Sequence, residues 1–280
     1  MALLHRGRYF PWVVDEGAQA RWLRSALGTL RAIAIDRATT THHVPGGLAV
    51  LNSDFPAAHD LNKLLITGPT EPSALAAAAD HIMGQAGLQH RLIEVYDAEV
   101  GKRLARDLAP EGYEGSEDLL MAATASAQKQ PPPVPVVVLD VQERAQVATT
   151  EWRRDQPGWD EDVTDQLGRR ISTVLEAARV TFFAVRDNSG AVVARADLYL
   201  RDGVAQIEEV MTDPAHRGHG FASALVIHSA DVARSAGASM VFLVADADDW
   251  VQHLYRRLGF TDLGHTVSLL AEPAPASNDF

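Results

Sequence analysis

The sequence has no cysteine among its 280 residues, which excludes disulfide bonds, zinc–thiolate sites and a cysteine nucleophile. Basic residues are also scarce, with 25 Lys and Arg against 37 Asp and Glu and a net charge of -12. Nucleic acids and anionic membranes select for basic surfaces, so we expect neither as a partner. An acidic protein is compatible with a cationic substrate such as an amine.

Long apolar segments are missing as well. No run approaches the roughly 20 apolar residues that a membrane-spanning helix requires. The stretch MALLHRGRYFPWVVDEGA at the N-terminus lacks the apolar core of a signal peptide. Hydrophobic residues nevertheless make up 46% of the chain, as in a globular protein. These features predict a cytoplasmic protein.

A proline cluster divides the chain. The segment QKQPPPVP, residues 128–135, contains three consecutive prolines, which remove backbone donors and favour polyproline II. We therefore expect a linker at 128–135 between two domains, residues 1–127 and 136–280. The length of the chain suffices for two domains of ordinary size.

The second half alternates strand and helix patterns. Strands are predicted at 135–139, 180–187, 191–200, 204–212, 240–246 and 260–270, and helices at 141–154, 162–178, 221–236 and 249–258. Asn188-Ser189-Gly190 and Arg201-Asp202-Gly203 are hairpin turns. These elements indicate an α/β domain.

The first half repeats this order faintly. Strands are predicted at 61–67 and 90–97, and helices at 71–84 and 98–108. Gly112-Tyr113 then stands where Gly259-Phe260 stands in the second half. We interpret the pattern as an internal duplication. Two unrelated α/β halves are the alternative, because such alternation is common.

The stretch MTDPAHRGHGFASAL, residues 211–225, predicts a strand end, a turn and a helix start near Phe221. The first helical turn has free N–H groups and a partial positive charge. Gly218 and Gly220 would let an anion approach the backbone, and Arg217 adds a charged donor. Together they suit a pyrophosphate.

Several classes of loop share these features. A Walker loop is excluded because it needs a lysine after the glycines. A dinucleotide fingerprint fits in part, with Ser223 in place of its third glycine and Asp246 ending the next strand. However, a dinucleotide loop passes directly from its strand to the first glycine, whereas residues 213–217 intervene here. Two hairpin turns also precede this strand, in place of the parallel crossovers of a dinucleotide-binding fold. A structural turn without a ligand is a further alternative.

Arg217, Gly220 and Ala222 form R-x-x-G-x-A, which resembles the coenzyme A loop of the GNAT acetyltransferase superfamily. The preceding VMTDP (210–214) resembles the end of that family's fourth strand, and LYRRLGF (254–260) resembles its LY..LGF signature. The resemblance covers roughly Val134 to Glu272. It implies an α/β (α+β) protein with two GNAT-like domains in tandem, each a mixed, mostly antiparallel sheet flanked by helices.

The resemblance also implies an activity, the transfer of an acyl group, normally acetyl from acetyl-CoA, to a primary amine. The main chain of Val210, Met211 and Thr212 would pair with the pantetheine arm. The N–H groups that would hold the pyrophosphate belong to Arg217, Gly218, His219, Gly220, Phe221, Ala222 and Ser223. Tyr255 would protonate the leaving thiolate; its alternative role is that of a packed aromatic.

The general base is implied less directly. Gln206 stands where many relatives carry glutamate, and glutamine cannot act as a base. Glu208 lies two residues on and shares that face of the strand, so it is the predicted base, directly or through water. Glu209 should point to the other face, although a bulge would exchange these roles. We expect no metal site.

The equivalent loop of the first half is ITGPTEPSAL, and it lacks the features that suit a pyrophosphate. Glu71 stands where an anion would need positive charge, and Pro72 has no N–H. Thr70 is expected to cap the helix. We therefore expect this half to bind no coenzyme A, to cover the second half and to wall the acceptor pocket. Such an arrangement resembles the mycothiol synthase branch of GNAT proteins.

Two other functions stay open at this point. One is an acyl-CoA-binding regulatory module, which Gln206 favours, and the other is a nicotinamide-dependent oxidoreductase. The sequence identifies neither the amine acceptor nor the oligomeric state, for which a homodimer is one option.

Overall fold

The computed structural model describes residues 16–123 and 134–272. The first range contains α1 (Glu16–Asp36), β1 (Thr40–Val44), β2 (Gly47–Leu51), β3 (Lys63–Ile66), α2 (Pro72–Gln85), β4 (Arg91–Val95), α3 (Ala98–Leu108) and β5 (Glu114–Ala123). The predicted linker lies outside these residues except at its last two positions. In the two described ranges no helix is both long and apolar enough to cross a membrane.

The second range contains the predicted elements of the second half. They are β6 (Val137–Leu139), α4 (Val141–Asp155), α5 (Glu161–Arg169), α6 (Val174–Ala177), β7 (Arg179–Arg186), β8 (Val192–Arg201), β9 (Val204–Thr212), α7 (Phe221–Ser235), β10 (Met240–Asp246), α8 (Val251–Arg257) and β11 (Phe260–Ala271). The predicted fold class, mixed sheet flanked by helices, is confirmed.

Two local predictions are wrong. The single helix at 162–178 is divided into α5, a 3-10 turn at Arg170–Thr173 and α6. The Thr173 hydroxyl donates to the Arg170 carbonyl, a local bond that competes with regular helix. Glu71, not Thr70, occupies the N-cap of α2, because the buried Thr70 packs against the turn at Gly46.

The described strands form one continuous sheet in the order β1-β2-β3-β4-β11-β5-β10-β9-β8-β7-β6. β5, the last strand of the first half, lies between β11 and β10 of the second half. β11, the last strand of the second half, lies between β4 and β5 of the first. Each half therefore completes its sheet with the final strand of the other.

Helix α1 crosses the face of the sheet where the halves meet. Its residues Leu23, Ala26 and Leu30 pack with Leu120 of β5 and Phe242 of β10. Helices α7 and α8 cover the opposite face of the same strands. The central strands are thus enclosed between a helix of the first half and two helices of the second.

β9 and β10 are parallel neighbours that separate part-way along their length. Their pairing runs from Val204↔Met240 to Ile207↔Leu243 and then stops. Beyond it, β9 pairs only with β8, and β10 only with β5. A gap therefore opens in the sheet beside residues 208–212, where one edge of β9 has no strand partner among residues 16–123 and 134–272. We call this gap the β9–β10 split.

The contact between α3 and the exchanged strand β11 predicts that an alanine substitution in this helix destabilises the protein. A Cβ at Gly101 of α3 would approach the Cβ of Val267 in β11 to 2.5 Å. We expect Gly101→Ala to destabilise the protein by about 1 kcal/mol, because overpacking outweighs the gain in helix propensity. Urea unfolding measures this change.

Gly28→Ala is the matched control, because nothing lies within 4 Å of a Cβ at this exposed position in α1. We expect it to stabilise the protein by about 0.5–1 kcal/mol. Equal stabilisation by both substitutions would contradict the packing of β11 against α3.

Candidate active site

A β-bulge shapes β9 at the start of the split. The register with β8 shifts between Asp197↔Glu208 and Arg195↔Met211, so two residues of β9 oppose one of β8. Glu209 adopts a left-handed backbone conformation with φ 54°, which is uncommon for glutamate. The bulge interrupts the alternation of side chains along the strand.

Three arginines hold Glu209 in this conformation. Arg195 Nη1 donates to the Glu209 carbonyl at 2.8 Å and to its carboxylate at 3.0 Å. Arg170 and Arg144 approach the same carboxylate at 3.2 and 3.5 Å. Burial alone would raise the pKa of Glu209, but the three guanidinium groups lower it to about 2. Glu209 therefore stays ionised and is not available as a base.

The arginines are in turn fixed by other carboxylates. Arg144 and Asp197 form a fully buried bidentate pair, with nitrogen–oxygen distances of 2.9 Å. Arg195 pairs with Glu151 at 2.7 Å. Separation of the partners in such a pair is costly, because it leaves an uncompensated buried charge. The network of pairs therefore holds the bulge in its observed geometry.

Glu208 lies immediately after the last residue of β9 that pairs with β10. Its carboxylate accepts a hydrogen bond from the Gln206 amide, which lies on the same face of the strand. Burial and the negative charge of Glu209 raise the pKa of Glu208 to about 7. A carboxylate with a pKa near neutrality is suited to general base catalysis.

Glu208 and Glu209 both line a cavity of about 380 Å³ on the α1 side of the sheet, which we call the charged pocket. The prediction that Glu209 points away is therefore wrong, because the bulge turns it toward the same cavity. The other charged residues that line this pocket are Arg37, Asp60, Lys63, Glu94 and Asp118 from the first half, and Arg170 from the second.

A second cavity of about 460 Å³ lies on the opposite face, between the glycine loop and α8. We call it the loop groove. Most predicted cofactor-binding residues line it, namely Val210, Met211, Thr212, Arg217, Gly218, Gly220, Phe221, Ala222 and Ser223. His219 does not line it; its ring stacks on Phe221 with a centroid distance of 5.6 Å. Three larger surface grooves, of about 640, 640 and 480 Å³, lie elsewhere on the described residues and share no residue with either cavity.

The glycine loop leaves the start of α7 open. Gly218 and Gly220 have φ angles of 82° and 80°, a conformation that favours glycine. Gly220 is the N-cap of α7, and no side chain caps the helix. The first-turn N–H groups, which lack intrahelical acceptors, are therefore available to an anion in the loop groove.

Tyr255 lies on α8, and its side chain packs in the core. Its ring is 6.1 Å from that of Phe260, and it lines neither cavity. Burial and the charge of Glu208 raise the pKa of Tyr255 to about 12, so the hydroxyl keeps its proton at neutral pH.

The loop groove also contains residues that sequence reasoning missed. Trp250 is 64% exposed, and Arg257 and Asp249 line the groove beside it. Arg257 lies inside the LYRRLGF motif, and a basic residue at this position is a signal of a nearby phosphate site. The cluster of buried arginines behind Glu209 was not predicted, although Arg195 and Asp197 are a signal of it because they alternate within an apolar strand.

The corresponding part of the first half is closed. β3 and β4 remain paired to the end of β3, at Ile66↔Val95, and the Tyr96 N–H donates to the Ile66 carbonyl at 2.9 Å. The following loop is tied to Gly46, whose carbonyl accepts from Thr67 and Gly68. Among the described residues of this half, β3 and β4 therefore form no split through which a ligand could reach the other face.

Comparison with known proteins gives partial matches to two acetyltransferases. A streptothricin acetyltransferase of Streptomyces lavendulae is 41% identical over 21% of this chain and 31% of its own length. A glucosamine 6-phosphate N-acetyltransferase of Trypanosoma brucei brucei is 33% identical over 30% of this chain and 60% of its own. The chain thus spans less than two thirds of either relative.

A solved tandem GNAT protein from the clavulanic acid biosynthesis pathway has a similar fold along 94% of this chain and 97% of its own, with a TM-score of 0.59 and 14% identity. The model of the acetyltransferase (GNAT) family matches residues 144–260, from α4 to the start of β11. The split, the glycine loop and α8 all lie within this range. Residues 144–260 therefore form a domain of the acetyltransferase (GNAT) family.

Proposed function

We propose that the protein is an acyl-CoA-dependent N-acyltransferase that transfers acetyl from acetyl-CoA to a primary amine. In this proposal the loop groove binds acetyl-CoA, and the charged pocket binds the amine. The pyrophosphate lies against the N–H groups of residues 217–223. Val210, Met211 and Thr212 offer main-chain groups to the pantetheine arm along the free edge of β9.

One observation carries the proposal. The two cavities lie on opposite faces of the sheet, and the β9–β10 split lies between them. Glu208 stands at the closed end of the split and faces the charged pocket. A thioester that enters from the loop groove therefore reaches an amine beside a carboxylate whose pKa is about 7.

The reaction follows from this placement. Glu208 takes a proton from the amine, directly or through water, and the nitrogen attacks the thioester carbonyl carbon. The carbon–sulfur bond then breaks, and the thiolate gains a proton. The predicted donor of that proton, Tyr255, stays protonated at neutral pH but lines neither cavity, so in this proposal the proton reaches the sulfur through a water molecule. Glu209 holds the bulge and takes no part in proton transfer.

A regulatory acyl-CoA-binding module is the second candidate, because Gln206 cannot act as a base. The hydrogen bond from the Gln206 amide to the Glu208 carboxylate argues against this candidate. The amide positions a carboxylate of suitable pKa, so a glutamate at position 206 is not needed for base catalysis. Release of free coenzyme A in the presence of an amine discriminates the two candidates.

Binding of acetyl-CoA is tested by Gly220→Asp. Aspartate tolerates left-handed backbone and is favoured at an N-cap, so the variant should fold. Its charge would repel the pyrophosphate, and we expect the Kd for acetyl-CoA to rise about 100-fold or more. Isothermal titration should give one site per wild-type chain.

Gly190→Asp is the matched control, because Gly190 is also left-handed and nothing lies within 4 Å of an added Cβ. It should leave acetyl-CoA binding unchanged. Two acetyl-CoA sites per chain would contradict the expectation that the first half binds no coenzyme A. An unchanged Kd in Gly220→Asp would show that the glycine loop does not bind the pyrophosphate.

The role of Glu208 predicts a pH profile. The base must be ionised, so kcat/KM of the wild type should rise with pH through about 7. Glu208→Gln should lower kcat by a factor of about 100 to 10,000 and abolish this limb. If Glu208→Gln keeps the wild-type kcat, a residue other than Glu208 is the general base.

The two glutamates should affect stability in opposite directions. The folded-state pKa of Glu208 lies above its ordinary value of 4.5, so wild-type stability falls as pH rises from about 4.5 to 7. Glu208→Gln avoids this loss and should raise the melting temperature at pH 8 but not at pH 4.

The contribution of Glu209 to stability depends on pH in the opposite direction. Its folded-state pKa of about 2 stabilises the protein above pH 4.5, and this contribution is lost as pH falls toward 2. Glu209→Gln should therefore cost about 2 kcal/mol at pH 7 and progressively less on acidification. Equal effects of both substitutions at pH 8 would contradict the assigned charge states.

A further inference from the structure

Most charges in the charged pocket compensate one another. Lys63 pairs with Glu94 at 2.5 Å. Arg37 and Arg170 share the carboxylate of Asp60, at 3.3 and 3.0 Å. Arg170 also contacts the ionised carboxylate at position 209, which two further arginines neutralise from behind. Every cation that lines the pocket therefore has an acidic partner.

Two carboxyl groups of the pocket have no such partner. Neither Glu208 nor Asp118 forms an ion pair with any residue in the described ranges. Glu208 accepts a hydrogen bond from Gln206, and Asp118 accepts one from the Ser268 hydroxyl at 3.5 Å. In all, five carboxyl groups and three cations line the pocket, so it has an excess of two acidic groups.

These two carboxyl groups face the same cavity from separate strands. Asp118 lies on the exchanged strand β5, opposite Asp246 of β10, and β10 separates it from β9. Regular strand spacing and rise would place the Cα atoms of Glu208 and Asp118 about 12 Å apart, and the separation of β9 from β10 beyond Ile207 makes this a minimum. Both side chains extend into the pocket, so a short aliphatic chain can span them.

We propose that Asp118 determines acceptor specificity by binding a second ammonium group of the substrate. The acceptor class is accordingly a diamine, or another amine that carries a further positive charge. This inference rests on the proposed function, in which Glu208 receives the reacting amine. It also gives the first half a direct part in substrate recognition.

The surroundings of Asp118 support this role. Burial, together with the charges of Glu94 and Asp246, raises the pKa of Asp118 to about 6. A carboxylate whose ionised form is disfavoured by its surroundings gains from the arrival of a cation. For the same reason Asp118→Asn removes a charge that the folded protein disfavours, so the variant should fold.

The test compares cadaverine, which has two ammonium groups, with pentylamine, which has the same chain and one. We expect wild-type kcat/KM with acetyl-CoA to favour cadaverine by about tenfold or more. Asp118→Asn should reduce this preference at least tenfold, chiefly through a higher KM for cadaverine. Glu208→Gln, in contrast, should lower kcat for both amines.

Glu117→Gln is the matched control. It neutralises the adjacent carboxylate, which points to the opposite face of β5 and pairs with Lys102 at 3.2 Å. It should leave the preference for cadaverine unchanged. The inference is overturned if wild type does not prefer cadaverine, if Asp118→Asn keeps the preference, or if Glu117→Gln removes it equally.

Calorimetry separates this inference from the proposed function. If neither amine releases coenzyme A, the transferase proposal fails for simple amines, and cadaverine binding to the protein is measured directly. A Kd that rises about tenfold or more in Asp118→Asn, but not in Glu117→Gln, supports the ammonium site. An unchanged Kd, or no binding to the wild type, overturns it.

Discussion

The ion pairs around Glu209 are the interaction on which the site depends. Arg195 binds both the carbonyl and the carboxylate of this residue and so stabilises a left-handed backbone conformation that glutamate rarely adopts. The resulting bulge places Glu208 and Glu209 in one pocket. It lies where β9 leaves β10, so the same feature marks the start of the split.

Exchange of the last strands makes the two halves interdependent. β5 of the first half continues the sheet beside β10, and α1 covers the face on which the charged pocket opens. β3 and β4 of the first half stay paired as far as the structure describes them, yet residues of this half form much of that pocket. The loop groove thus belongs to one half, whereas both halves line the charged pocket.

Much of the local structure could be predicted from the sequence. The bounds of β9 and β10 and the glycines of the loop follow from periodicity and turn chemistry, which are local properties. The exchange of β5 and β11 could not be predicted, because strand partners are chosen by non-local packing. The bulge at Glu209 depends on arginines from three other segments, so its own sequence gives no sign of it.

Hydrogen exchange with and without acetyl-CoA tests the central claim most directly, namely that the β9–β10 split alone accepts the cosubstrate. The account predicts slower exchange of the backbone amides from Val210 to Ser223 and no change from Ile66 to Leu75, where β3 stays paired with β4. Protection of residues 66–75 to a similar extent, or no protection at 210–223, would contradict it.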